Sequence, residues 1–564
     1  MLVGIDLGTT HSLVSVWSDH GPRLIPNALG SVLTPSVVAL DDAGQVLVGA
    51  AARERMRSHP RHAVATFKRY MGTDRLSMLG ERSFRPEELS ALVLKSLLAD
   101  VEAETGERAS EAVISVPAYF SDAQRKATRN AGTLAGITVE RLVNEPTAAA
   151  LAYGLEQRDG ESRFLVIDLG GGTFDVSILE LFEQVMEVHA TAGDNFLGGE
   201  DFVDVLAQAC CADLGLKKSQ LGLADTVELC ARMERLKCQL SQGGGSTELS
   251  INGRSHAWQI DEARFEQLAA PLLARMRDPI ERVLRDARLG AAQLDEVILV
   301  GGASRMPMVS RLVTRMFGRL PLRHINPDEA IARGSAVMAG LKSRAAALDE
   351  VVMTDVCPYT LGIQTAERLP SGHVQQGIYS PIIERNTVVP TSRSGVYNPL
   401  ADFSPVLKLR VYQGESVQVA SNVFLGELEI ELPQAKASEM PVEVRFTYDI
   451  NGLIEVEATL LATRVKHRLM IQQNPGLLTP AEIAERLAAL QHLKVHPRDD
   501  QANLAIIARA ERLYEERSGS LRQQLAQWLT AFRGELESQE PLRIRAAQRR
   551  MQELLTQLEA DSPF

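Results

Sequence analysis

The chain opens with an apolar run, Val3-Gly4-Ile5, that stops at Asp6 and gives way to Leu7-Gly8-Thr9-Thr10-His11-Ser12 before a second apolar stretch. The same grammar returns at Leu165-Val166-Ile167-Asp168-Leu169-Gly170-Gly171-Gly172-Thr173-Phe174-Asp175. Each copy predicts two short strands joined by a tight glycine turn. The two aspartates stand 162 positions apart, too far for a solenoid repeat, so a duplicated domain is expected. Further on the pattern changes period. Val406–Tyr412 and Val442–Ile450 alternate apolar and polar residues between Gly, Pro and Asn breaks, with Asn451-Gly452 as a hairpin signal. Towards the end, Leu521, Leu525, Trp528 and Leu529 follow helical spacing. Thr479-Pro480-Ala481-Glu482 and Ser520 carry helix-start signals.

Composition narrows the classes. The chain has 564 residues, 60 Lys and Arg against 72 Asp and Glu, and a formal charge of −12. That balance argues against a nucleic-acid binder, which needs a basic footprint. No stretch reaches about 18 apolar residues, so no spanning helix and no membrane partner are expected. The five cysteines include no C-x-x-C pair; free thiols, a reducing cytoplasm and no secretory leader are the expectations. Cys210, Cys211, Cys230 and Cys238 lie in helical patterns and read as packing residues.

The chemistry sits in the two glycine turns. A strand ending in glycine exposes backbone N–H groups to an anion, threonines add hydroxyl donors, and aspartates offer hard oxygens for a cation. Neither a Walker-A loop nor a dinucleotide-binding glycine fingerprint is present. Taken singly, the other candidates have plainer readings. Lys68 could be a solvated charge, Glu145 a helix-terminal acid, Glu234 and Lys237 a surface pair, and Arg305 a helix cap.

Two facing phosphate loops resemble the actin-like ATPase fold. Val116-Pro117-Ala118-Tyr119-Phe120-Ser121, Asn144-Glu145-Pro146-Thr147, Leu299-Val300-Gly301-Gly302-Ala303-Ser304-Arg305 and Asn326-Pro327-Asp328-Glu329-Ala330 together resemble the DnaK-type, seventy-kilodalton heat-shock chaperones. His11 departs from the asparagine usual there. The resemblance implies ATP or ADP with Mg²⁺, and K⁺ as an optional companion. Gly8, Thr9, Thr10, Gly170, Gly171, Gly172, Thr173, Gly198 and Gly199 would hold phosphates, and Asp6 and Asp168 would hold Mg²⁺ through water. Lys68, Glu145, Asp175 and Thr173 would serve hydrolysis. Glu234, Lys237, Ser241, Gly301, Gly302, Arg305 and Asp328 would clamp the adenosine.

The same resemblance divides the chain into an α/β actin-like ATPase domain (1–347), a linker (348–356), a β-sandwich substrate domain (357–473) and a short helical lid (474–564). Thr354 stands where the family linker has leucine. Ile363, Thr365, Ala366, Tyr397, Leu400, Leu407 and Leu409 would line a peptide cleft. Ala366 and Leu400 exchange the usual large and small sizes, and Leu407 replaces a valine, so a narrowed peptide repertoire is expected. Pro117, Arg125 and Asp355 would relay between nucleotide and peptide. The abbreviated lid and the compact sub-lobes after Lys68 and Gly243-Gly244-Gly245 resemble the HscC branch most. They imply faster peptide release and little use of a GrpE-type exchange factor. Arg141, Asn144 and Asp355 keep a J-domain co-chaperone expected, with a cytoplasmic monomer as the working form. A metabolite kinase or a filament-forming ATPase on the same fold is the alternative, and it leaves residues 357–564 unexplained.

Overall fold

A computed structural model describes residues 1–154, 161–182, 185–243, 245–322, 325–342, 352–368, 374–449, 454–471, 501–517, 519–539 and 541–560. The chain forms two compact units. Met1–Leu361 and Glu384–Val389 belong to the first; Gly362–Ile383, Pro390–Asp449 and Leu453–Phe564 form the second.

The first unit is built on two sheets of matching plan. In one, Leu2–Asp6 pairs antiparallel with His11–Ser18 on one side and parallel with Glu111–Val116 on the other. Gly21–Leu24 and Thr138–Asn144 complete its main order. In the other, Ser162–Leu169 pairs antiparallel with Phe174–Phe182 and parallel with Glu296–Val300. Val185–Asp194 continues it antiparallel. The expected duplication is therefore visible in strand direction and order. Central strands are buried on both faces, which is why they read as continuous apolar runs. Val3, Ile5, Val93, Leu97 and Ile114 form the core under the first sheet. Leu165, Ile167, Phe174, Phe202, Leu206 and Met233 form the core under the second.

The sheet does not stop at Val185–Asp194. Val352–Val356 adds a parallel strand, with Val185 opposite Val352 and Glu187 opposite Thr354. Asp355 and Val356 then pair with Val389 and Val388. The described part of the linker is thus a docked strand, and the first unit runs on to Leu361; residues 348–351 lie outside the described residues. The two compact sub-lobes are small antiparallel hairpins, Ser77–Leu79 with Arg82–Phe84 and Gly245–Ile251 with Arg254–Ile260.

The second unit holds two four-stranded sheets. One runs Val374–Ile383, Leu361–Arg368, Val406–Gln413, Val423–Glu431; the other runs Thr391–Tyr397, Val442–Tyr448, Ile454–Leu460, Lys466–Ile471. Tyr448 pairs with Ile454 as a hairpin requires, although the turn residues Asn451 and Gly452 lie outside the described residues. Helices Gln501–Glu516, Gly519–Glu537 and Pro541–Ala560 pack around Ile506, Leu513, Leu525, Leu529, Phe532 and Leu555. The apolar stripe holds at Leu525 and Leu529 but not at Leu521, which is 38% exposed. A helix start at Thr479 lies outside the described residues. Of the cysteines, Cys238 is exposed and so is not a packing residue. The helix carrying it turns its other face to the core, through Met233, Leu236 and Leu240.

Leu525 is fully buried in the helical bundle. Leu525→Ala should remove about 2–5 kcal/mol from its packing. Urea unfolding followed by Trp528 fluorescence would show this as an earlier loss of the bundle.

Candidate active site

The site forms where the turns of the two hairpins meet. In the second, Asp168 pairs with Asp175 and Leu169 with Phe174, and Gly170 N–H closes the turn on the Thr173 carbonyl at 3.1 Å. The first turn stands against it. A Cβ on Gly171 would lie 2.3 Å from Thr10 Cγ2, and one on Gly172 would lie 2.5 Å from Thr9 Cγ2. Only glycine permits that approach. Gly199 and Glu200 donate their N–H groups to the Gly170 and Gly171 carbonyls at 2.9 Å, so helix Gly199–Asp213 begins on the turn.

Around the turns lie buried acids with few partners. Asp6 accepts a hydrogen bond from Ser115 Oγ at 2.9 Å. Asp175 Oδ1 accepts one from the Tyr119 N–H at 2.9 Å. Both oxygens of Asp168, and Asp175 Oδ2, are buried with no hydrogen-bond partner among the described residues. Lys68 Nζ lies 2.9 Å from Glu145 Oε1, with each side chain at most 6% exposed. Lys68 sits on the short turn Phe67–Tyr70, and Glu145 opens helix Glu145–Ala152. The plainer reading of Glu145 as a helix-terminal acid is thus also true, but its partner is a buried ammonium. Burial, then Glu145, pushes the Asp6 and Asp175 carboxyls up to about 7. Burial, Glu145, Asp175 and Asp6 push Asp168 well above the carboxylate range.

A cation fits this set. Hard oxygens, buried and short of hydrogen-bond donors, are what Mg²⁺ and its waters satisfy. Among the described residues no three His, Cys, Asp or Glu side chains converge for direct ligation. A hydrated ion reaches such carboxylates at longer range.

The remaining candidates fall into two neighbouring groups. Lys237 Nζ donates to the Gly199 carbonyl at 3.2 Å and pairs with Glu234 at 2.6 Å, while Ser241 Oγ donates to the Lys237 carbonyl at 3.2 Å. Lys237 is buried; Glu234 is about half exposed. Arg305 pairs with Asp328 through Nε at 3.0 Å and Nη2 at 2.7 Å. Gly301, at φ +80°, joins this group to the phosphate turns, for a Cβ there would meet Asp168 Oδ1 at 2.4 Å. Gly302 approaches Asp328 in the same way. Two arginines escaped sequence reading. Arg53 Nη2 lies 2.7 Å from His11 Nε2, and burial, then Arg53, lowers His11 to about 4. Arg69 pairs with Asp201 and faces Gly172. The only signal for Arg69 was its place next to Lys68.

A family model described as Hsp70 protein matches residues 2–79 and 75–561. The chain belongs to the Hsp70 family. Hsp70 proteins are ATP-dependent chaperones that use Mg²⁺, bind unfolded peptide clients and usually work with J-domain co-chaperones. The match continues through both sheets of the second unit and into the helices, so neither a metabolite kinase nor a filament ATPase is favoured.

The relay candidates of this Hsp70 meet in the first unit. Asp355 Oδ1 and Oδ2 both accept from Asn144 Nδ2 at 2.6 Å, and Asn144 Oδ1 accepts from Arg125 Nη2 at 2.6 Å. Arg125 also donates to the Ala118 and Phe120 carbonyls, and the Pro117 carbonyl accepts from the Phe120 N–H at 3.1 Å. In the second unit the cleft candidates divide. Ile363 and Leu409 are buried in the sandwich core, Thr365, Ala366, Tyr397 and Leu407 are half-buried, and Leu400 is exposed. Tyr397 hydrogen-bonds Ser380 at 3.0 Å. Val396, Phe403 and Val406, which were not singled out, are more than 40% exposed beside them.

The raised carboxyls set the sign of a pH effect in the nucleotide-free chain. The folded state keeps protons that the unfolded chain releases near pH 4, so these groups cost stability as pH rises from about 4 to 7. For Asp6 and Asp175 the cost is nearly complete by pH 8. Asp168→Asn should therefore melt a few degrees above the wild type at pH 8, with the gap closing towards pH 5. Calorimetry without nucleotide would measure it.

Proposed function

We propose that the first unit binds and hydrolyses ATP and that its nucleotide state controls capture and release of extended apolar segments in the second unit. The observation that carries the reading is the meeting of two glycine–threonine turns over buried acids short of hydrogen-bond donors. Backbone N–H groups of the turns, with Thr9, Thr10 and Thr173, would cradle the β- and γ-phosphates. Asp6 and Asp168 would hold the waters of Mg²⁺, which supplies charge neutralisation when bound. Lys68 would present its ammonium to the transferring phosphoryl group, and Glu145 and Asp175 would orient the attacking water. Such chemistry needs positioning and charge balance more than covalent help. Glu234, Lys237, Ser241, Gly302, Arg305 and Asp328 would hold the adenosine.

Peptide would lie across the sandwich with main-chain hydrogen bonds and side chains in an apolar pocket, as in strand-like recognition generally. The exchange of sizes between Ala366 and Leu400, and Leu407 at the pocket, support a narrow client range. The small hairpin sub-lobes support an HscC-like member that depends little on a GrpE-type factor. Asp355 and Arg141, with Asn144 buried behind Asp355, are the positions a J-domain co-chaperone would use. Coupling between the two sites must be reciprocal, and the docked strand Val352–Val356 with the Asp355–Asn144–Arg125 chain is its candidate route.

Two measurements test this. Apolar peptides should raise the ATP hydrolysis rate severalfold, and Asp355→Ala should abolish that rise while leaving basal turnover within about twofold. A chain whose hydrolysis ignores every peptide offered is not this machine. Lys68→Met should lower hydrolysis roughly 100-fold or more while ATP still binds.

A further inference from the structure

Tyr359 belongs to none of the groups assigned above. It lies three residues beyond the docked strand Val352–Val356. Its ring packs on Tyr119, with centroids 4.6 Å apart and planes at 40°. Its hydroxyl donates to the Tyr119 carbonyl at 2.9 Å. Burial raises the pKa of that hydroxyl, so it keeps its proton and remains a donor. Tyr119 in turn donates its N–H to Asp175 Oδ1. One residue is therefore gripped through its carbonyl by Tyr359 and grips Asp175 through its amide. Asn195 Nδ2 adds a second donor to the same carbonyl at 3.0 Å, which fixes the Tyr119 main chain further.

Tyr359 is itself held in place. Cys357 N–H donates to the Thr387 carbonyl at 2.9 Å, and Asn386 N–H donates to the Cys357 carbonyl at 2.7 Å. Arg385 closes on Asp286 through two bonds of 3.0 and 2.8 Å. Asn386 reaches Asp286 at 3.1 Å and accepts from the Thr191 N–H at 3.0 Å. Were the strand Val352–Val356 to leave the sheet, these few residues would carry Tyr359 away from Tyr119.

We infer that Tyr359 is a positioning residue for ATP hydrolysis: while the linker strand is docked, its hydroxyl fixes the Tyr119 main chain and so orients Asp175 towards the attacking water. This rests on the ATPase reading above and on the role given there to Asp175. It adds the group by which strand docking reaches the reacting atoms. The ring contact holds the segment, and the hydroxyl does the aiming, so the two are separable.

Tyr359→Phe keeps the ring and removes the hydroxyl. In single-turnover experiments on the full chain with Mg²⁺ and ATP, it should lower the hydrolysis rate about 3–10-fold, the usual effect of one hydrogen bond. ATP affinity, read with a fluorescent analogue, and the melting midpoint should stay at wild-type values. In an Asp175→Asn background the same substitution should cause no further loss, because its route has already been cut. Three results would overturn the inference: a wild-type rate in Tyr359→Phe, equal losses of rate and affinity, or losses that multiply with Asp175→Asn. A wild-type chain that hydrolyses no ATP overturns the ATPase reading and this inference together. That outcome is distinct from an active wild type indifferent to Tyr359→Phe.

Discussion

The first unit depends on a charge balance struck in a dry place. Asp6, Asp168, Asp175 and Glu145 are buried within one small region, and Lys68 is the buried ammonium set directly against Glu145. Four carboxylates and one ammonium are not neutral. The folded chain without ligand meets the difference by keeping carboxyl protons. A bound cation would meet it by replacing them. Stability and ligand binding are therefore two uses of one imbalance, and a site so built is frustrated until it is filled. The glycines are part of the same constraint. Any side chain on Gly171 or Gly172 would push the two turns apart and let water in to screen the acids.

Much of this was legible in the chain itself, and for physical reasons. The strand–Asp–Gly pattern recurs because both hairpins solve the same problem of bringing backbone amides and a carboxylate to one point. The period-two runs after residue 400 announce a sandwich because alternate side chains face its core. What stayed hidden depended on the third dimension. Nothing near Lys68 says that Glu145, 77 residues on, is its partner. Arg53 and Arg69 looked like surface charges because long basic side chains usually are. Ile363 and Leu409 read as apolar without showing how deeply the fold buries them, and Val396 and Phe403 without showing that they lie on the outside. Spacing predicts faces within one element; it does not say which face another element covers.

The relay candidates form a short polar chain. Asn144 precedes Glu145 in sequence, so its contacts with Asp355 and Arg125 bear on the residue that pairs with Lys68. Tyr119 lies between Pro117 and Arg125 in sequence and touches Asp175 from the other side. Two routes thus run from the strand Val352–Val356 and its neighbours to the buried acids. One arrives at Glu145 and the other at Asp175. Each consists of side chains and main-chain groups with few alternative partners, which is the kind of element that occupies discrete states rather than drifting.

The added strand also changes what counts as a domain. Val185–Asp194 has Val352–Val356 as its outer neighbour, and that strand is in turn capped by Val388 and Val389, which lie beyond a stretch of the second unit in sequence. Cutting the chain near residue 347 would strip a β-edge of its cover and leave unpaired backbone groups facing water. Such an edge is a template for pairing with other chains. The first unit therefore takes part of its sheet from beyond the boundary expected at residue 347. Val388 and Val389, which complete that sheet, are encoded after the second unit has begun.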